Sequence, residues 1–544
     1  MLTLEEFEYF AKRRNIEISL SLGEYEQAEK ELHILEREEK NANLKQQDIH
    51  RQFAILYLLW KKEYQKAKKH VFQALVQTLP DIQENMAAFR EKLLRKLWLS
   101  EAEISLLLMY AYLKEKTGEE SQKLFQCIWD YIQLKVTEQE TRDKQSAQVK
   151  CFLAQIKEKN QQWKDCCEDC EAVIETEAKY GSLLLIPEMM AMEMKCLEHG
   201  ASHEKQELRK KQYEILREIM GEYGIGMEEG LPIFLIQGGV SEKQLLDELI
   251  RSSRMRKEFS QEKLSEGVCT PETLSRIETG KRNPTIKHFY GLMQKLGMGM
   301  GYFNTYFDAE RFETLEKGRE LRRLMVLGKL KEAEIVLQEI EAEIDGTKVK
   351  NQQYLAFNHA FLECELHQGD LKEIFQNVEQ ALMLTLKKKE ERFRIYYQPT
   401  QIEISLLNQL AILHREMGEQ REAVKILKAL YEYYHKGKLQ GRERDRHYFM
   451  ILGNLASYTE EIDELEQAME YAEEFITELL KAGRGNLLGR SLITKAYVQE
   501  RMGKEICLTT YEQAYHICGL FDDLRNRKVV ENHVKKHWKI DYKF

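Results

Sequence analysis

Proline is scarce in this chain, 6 in 544 residues, and nothing in the composition suggests a β-rich or collagenous protein. With 32% charged and 43% apolar residues, and an abundance of Glu, Lys, Leu, Gln and Ala, the sequence suits helix interiors. Long apolar runs are missing as well. The longest, such as 104–113 and 231–236, fall well short of the roughly 18 residues that cross a bilayer, so no membrane segment is expected. The first eight residues carry early acids and no basic-then-apolar signal, which points to a cytoplasmic protein. Catalytic signatures are absent too: no phosphate-cradling Walker loop, no nucleophile elbow, no zinc-protease His pair and no dinucleotide fingerprint. The 14 histidines are scattered, with His33, His50 and His70 on polar helix faces and His414 inside a repeat. No enzymatic role and no cofactor are expected.

Ten cysteines is ordinary usage for this length, and a reducing compartment leaves them as thiols. Cys166, Cys167 and Cys170 form the one dense group. No second pair lies at zinc-finger spacing and no histidine flanks them, so a metal site is not expected. Cys166 and Cys170 lie four apart after Trp163, on one helix face, where free cysteine packs as a small apolar residue.

What the chain does have is repetition. A turn-forming or polar pair followed shortly by a small residue recurs as Gly23…Ala28, Lys62…Ala67, Gly118…Lys123 and Gln161…Cys166. It returns as Gly328…Ala333, Gly369…Ile374, Gly418…Ala423 and, imperfectly, Ile462…Ala468. Spacings of about 40–55 residues fit stacked helical hairpins and resemble the tetratricopeptide repeat, with longer and less regular units. A coarser period lies over this one. Glu103–Leu107 recurs unchanged as Glu403–Leu407, and Gln73–Leu75 as Gln380–Leu382, at offsets of 300 and 307, as expected of one duplicated array. The second copy carries an additional module in front.

The expected architecture is therefore all-α: an array over 1–220, a Gly-rich linker over 221–245, a small helix-turn-helix domain over 246–305, and a second array over 306–544. The net charge of −9 argues against a chain coated with nucleic acid. Between Leu246 and Met300, however, ten Lys and Arg face seven acids, a net of +3 that leaves −12 elsewhere. Local signals mark short helices in this basic island. Ser260 suits an N-cap, Gly267 a helix end, Thr270 a second N-cap, Pro271 the first helical position and Glu272 the positive end of the dipole, while Gly280 stops the helix. Leu264, Val268, Leu274 and Ile277 supply a small shared core.

The segment SQEKLSEGVCTPETLSRIETGKRNP resembles the helix-turn-helix of phage-repressor-like regulators over some 50 residues. Followed by a tetratricopeptide-like array, it further resembles peptide-pheromone regulators of the Rgg and PlcR type from Gram-positive bacteria, over roughly 246–544. The chain departs from that pattern in placing another array before the DNA-binding module. The resemblance implies a recognition helix from Pro271 to Glu278, with Thr270, Glu272, Thr273 and Arg276 facing base edges or nearby phosphates. Arg276 is the strongest candidate for reading guanine, through paired bonds to O6 and N7. Gln261 resembles the family's phosphate-anchoring glutamine, Lys281 and Arg282 would hold the backbone, and Arg254 with Glu278 matches a structural ion pair.

Expected partners are an operator in double-stranded DNA, a second copy of the chain, and a short peptide. The dimer contact is expected at the last helices, from Tyr511 to Trp538, whose apolar residues no further repeat would cover. For the peptide, Asn358, Asn408 and Asn454 precede the anchors Ile374, Ala423 and Ala468 by 16, 15 and 14 residues, on one face of successive first helices. Amides there offer the donor and acceptor that an extended backbone needs, and the resemblance implies the same use. The first array has Gln52, Leu108 and Cys151 near the equivalent positions. The leading reading is a ligand-responsive transcription regulator. The competing one is a protein-interaction scaffold, or a regulator of other proteins, with a vestigial DNA-binding module.

Overall fold

A computed structural model describes residues 9–540 except 10–11, 14, 18, 21–22, 40–42, 84–85, 96, 203, 228–249, 252–253, 256, 280–281, 283, 285, 297–305, 310, 327, 387–398 and 436–445. The described residues are helical, with no strand beyond one isolated bridge between Ser182 and Arg484. The first array supplies α1 (Tyr25–Glu38), α2 (Asn43–Leu56), α3 (Tyr64–Val76), α4 (Met86–Arg95), α5 (Glu101–Lys116), α6 (Gln122–Lys135), α7 (Gln139–Lys159), α8 (Trp163–Lys179), α9 (Ile186–Glu198) and α10 (Gln206–Glu222). The basic island holds α11 (Gln261–Ser265), α12 (Pro271–Glu278) and α13 (Ile286–Lys295). The second array holds α14 (Phe312–Val326), α15 (Leu330–Glu343), α16 (Val349–Glu365), α17 (Leu371–Met383), α18 (Gln401–Glu416), α19 (Gln420–His435), α20 (Arg446–Glu461), α21 (Leu465–Lys481), α22 (Leu488–Arg501), α23 (Cys507–Leu520) and α24 (Leu524–Trp538). The two arrays are tetratricopeptide-like, built of paired antiparallel neighbours such as α2 with α3, α7 with α8, and α18 with α19.

The hairpin turns share one geometry. Gly23, Gly328, Gly369 and Gly418 sit at φ +78, +69, +84 and +83, a left-handed conformation that costs glycine least. Lys62, Gln161 and Asp463 occupy the same region at φ 51, 56 and 66. Five residues after each of these comes a buried small or branched residue: Ala28, Ala67, Cys166, Ala333, Ile374, Ala423 and Ala468. Each is packed away from solvent, so a larger side chain there would have to displace its neighbours. Lys123 departs from the pattern; it is exposed, and Leu124 fills the core instead. The repeated Glu-Ile-Ser-Leu-Leu segments also share their helix start. Ser100 with Glu103 and Thr400 with Glu403 each form a reciprocal capping box.

The described residues divide into two compact units, and the chain visits one of them twice. Residues 9–240 and 472–544 form one, and residues 241–471 belong to the other. In the first, α10 packs against α23. A single core combines Cys166, Cys170, Met189, Met190 and Ile219 with Leu492, Tyr511, Ile517, Val530 and Val534. The expectation that the last helices, from Tyr511 to Trp538, leave an apolar face uncovered is thereby corrected for α23, which the end of the first array covers, whereas Leu524 and Val529 of α24 are exposed. Cys166, Cys167 and Cys170 are buried thiols within this core. Gly221 and Glu222 of the expected linker still belong to α10, and 228–249 lies outside the described residues.

In the other unit, α18 is buried on nearly every side, and it touches the first helices on either side of it, α16 and α20.

Candidate nucleic-acid interface

The basic island builds its site on two caps. Ser260 Oγ accepts from the Lys263 N–H at 3.2 Å and starts α11. Thr270 Oγ1 does the same for Thr273 at 3.2 Å and starts α12, with Pro271 at the first position where no N–H is needed. Lys295 closes the far end of α11: its Nζ donates to the Lys263 carbonyl at 3.1 Å and to that of Glu266. Leu264, Leu274, Ile277, Phe289 and Leu292 form one small core beneath these helices. Gly291 sets how deeply α13 seats, since a Cβ there would meet Val268 Cγ1 at 2.8 Å.

Glu278, 2% exposed, ties the module together. Arg254 grips it with Nε at 2.6 Å and Nη2 at 3.0 Å, and sends Nη1 to the Phe259 carbonyl at 2.8 Å. Gln261 Nε2 adds a third bond to Glu278 at 2.7 Å. The ion pair was legible in the sequence, but the glutamine tie was not. One of the two Nε2 hydrogens holds Glu278, which fixes the side chain at the start of α11 and leaves the second hydrogen as its donor.

The sequence-predicted contact residues lie as follows. Thr270 and Glu272 are exposed and Thr273 is half-buried at the start of α12. Arg276 is 59% exposed and pairs with Glu272, itself 75% exposed, at 2.7 Å one turn back. An exposed pair of this kind is worth little and gives way to a better acceptor. Arg282 is exposed, with its backbone N–H on the Arg276 carbonyl at 3.1 Å. Lys281 and Gly280 lie outside the described residues. A capped helix end with a guanidinium one turn in, on a module whose opposite side is apolar core, can enter a groove and hydrogen-bond acceptors there.

The helix-turn-helix family matches residues 250–303. The chain carries a helix-turn-helix domain. No curated protein matches the sequence. Solved structures similar to it include PlcR of Bacillus thuringiensis in complex with the peptide PapR7 and DNA, at 15% identity over 53% of this chain and 100% of that one, with a TM-score of 0.36. The apo competence regulator ComR of Streptococcus vestibularis has 12% identity over 55% of this chain and 99% of that one, with a TM-score of 0.33. The SHP pheromone receptor Rgg2 of Streptococcus dysgalactiae has 13% identity over 54% of this chain and 100% of that one, with a TM-score of 0.30.

Beyond the helix-turn-helix, the three asparagines of the second array are all buried. Asn454 Nδ2 donates to Asn408 Oδ1 at 3.1 Å, joining α20 to α18. Asn358 instead donates to the Tyr354 carbonyl of its own helix at 2.7 Å. Further buried polar groups crowd the same first helices. Gln353 donates to the Ala381 carbonyl at 3.0 Å, Ser405 Oγ lies 3.0 Å from His447 Nε2, and Glu403 takes the Thr400 N–H at 2.7 Å. Among the described residues no group of three His, Cys, Asp or Glu is arranged to hold a metal, and no helix is long and apolar enough to cross a membrane.

Proposed function

We propose that the chain is a sequence-specific DNA-binding transcription regulator whose second array senses a short peptide. The observation that carries the DNA reading is the presentation of α12. Its N-terminal end is capped by Thr270 and braced from below by the Arg254–Glu278–Gln261 cluster, and it offers Glu272 and Arg276 to solvent. The peptide reading draws on the buried amides and hydroxyls that α16, α18 and α20 bring together, groups whose donors and acceptors suit an extended backbone. A homodimer is part of the proposal, because one module of this size covers a single half-site. The face of α23 is not expected to form its interface, because α10 covers it within the chain.

The test selects preferred duplexes from a random pool with the full chain and titrates wild type and Arg276→Ala against the selected and a random duplex. Arg276→Ala is expected to lose about 1–3 kcal/mol on the selected duplex and far less on the random one, with two copies of the chain per selected site. Equal losses on both duplexes would remove the base-reading role. No preference for any duplex would leave the scaffold reading in its place.

A further inference from the structure

The last described helix carries an excess of positive charge outside the helix-turn-helix. Residues 524–540 hold six basic residues against Glu531 alone, a net of +5 in a chain whose total is −9. Burial sorts them. Val530 and Val534 are buried, and Arg527 turns aside to donate to the Tyr515 hydroxyl at 2.7 Å. Arg525, Lys528, Lys535 and Lys536 are exposed. At 3.6 residues per turn they fall, with Asn532, within an arc of about 100° on the side of α24 opposite the two valines. Lys539, in the left-handed position that ends the helix, is exposed as well. Arg525, Lys528 and Lys536 make no ion pair with a described carboxylate.

Helix stability accounts for only part of this set. Lys535 and Lys536 in the last turn suit the negative end of the dipole, whereas Arg525 and Lys528 stand near the positive end, where cations are opposed. A protein-docking face is the poorer fit. Such faces are built around aromatic and apolar anchors and are depleted in lysine, whereas this one is mostly lysine, with Val529 beside it and Leu524 and Ile540 at the two ends of the segment as its exposed large apolar residues. Lysines are compact point charges suited to phosphates, and the stripe from Arg525 to Lys536 extends about 16 Å, close to five base pairs of duplex.

We propose that the exposed basic face of α24 is a second, sequence-independent contact to the phosphate backbone of DNA. The inference rests on the DNA-binding reading above and adds a site outside the helix-turn-helix. It is tested on the full chain by the slope of log affinity against log salt, with both a selected and a random duplex. Replacing Arg525, Lys528, Lys535 and Lys536 together with Gln should flatten the slope by about two to four units on both duplexes while the ratio between them holds. Because Lys535 and Lys536 also support the helix end, a second variant carries only Arg525→Gln and Lys528→Gln, which remove charges the dipole disfavours. It should lose about half as much slope with an undiminished melting temperature. The charge-preserving set Arg525→Lys, Lys528→Arg, Lys535→Arg and Lys536→Arg should restore the wild-type slope. Slopes unchanged in both Gln variants, while the wild type still selects its duplex, would overturn the second contact and leave the helix-turn-helix reading standing. A wild-type chain that shifts no duplex would fail both.

Discussion

Asn408 and Asn454 stand on consecutive first helices with their amides joined, and the cost of breaking such a pair depends on what else they hold. Both are buried, so a bound backbone that gains bonds from them leaves unsatisfied groups behind when either is removed. Asn358 is committed to the carbonyl of Tyr354 on its own helix, which suits a packing role. For a linear heptapeptide selected against the wild-type chain, Asn408→Ala and Asn454→Ala are each expected to weaken binding by about 1–3 kcal/mol, and Asn358→Ala by clearly less. Isothermal calorimetry measures all three. Equal, unchanged affinities would remove the second array's amides from the site.

Between α2 and α3 the packing is aromatic. His50 Nδ1 lies 3.2 Å from His70 Nδ1, and the His70 ring stacks on Phe53 and Tyr57 at 4.7 and 5.5 Å. Burial, with neighbouring His50, Lys69 and His33, pushes the His70 imidazole down to about 4, and burial lowers His50 despite Glu36. A base whose folded pKa is depressed stabilises the fold above its unfolded value near 6.5 and loses that contribution as pH falls toward 4, because the unfolded chain then binds more protons. Each such group adds a slope of up to about 1.4 kcal/mol per pH unit within that window. Thermal melts between pH 7 and pH 4.5 should therefore fall more steeply for the wild type than for His70→Phe, which keeps the stacking and removes one titration. Parallel curves would show that the pair does not titrate in this range.

At the scale of the whole molecule, residues 241–471 are inserted into a unit that the chain leaves after α10 and rejoins within α21. Lys495 of α22 joins the two crossing points. Its side chain is 4% exposed, with Nζ 2.5 Å from Glu222, 3.1 Å from Glu473 and 3.0 Å from the Tyr223 hydroxyl, which itself donates to Glu473. Two units with separate cores should melt in two calorimetric transitions. Lys495→Ala leaves two partly exposed carboxylates and a half-buried phenol without their shared cation, at a cost of about 1–3 kcal/mol. It should lower one transition by a few degrees and leave the other in place. A single transition, or two that shift together, would contradict the division.

Much of this was readable along the chain, because it rests on short-range chemistry. A left-handed turn needs Gly, or a polar residue that tolerates it; the closest approach of two helices needs a small side chain; and Thr270 followed by Pro271 starts a helix wherever it occurs. These signals marked the helical hairpins, the duplicated Glu-Ile-Ser-Leu-Leu starts and the helix-turn-helix. The chain itself did not reveal that Gln261 is tied to Glu278, that Asn358 turns back on its own helix, or that Arg527 leaves the basic stripe while Arg525 and Lys528 stay on it. Nor did it reveal that α23 packs against α10. These depend on which of several possible partners a side chain finds once the helices have packed, and the last on surfaces that meet between segments about 300 residues apart. Helical periodicity says that a face is apolar, but only the matching of shapes in three dimensions decides what covers it.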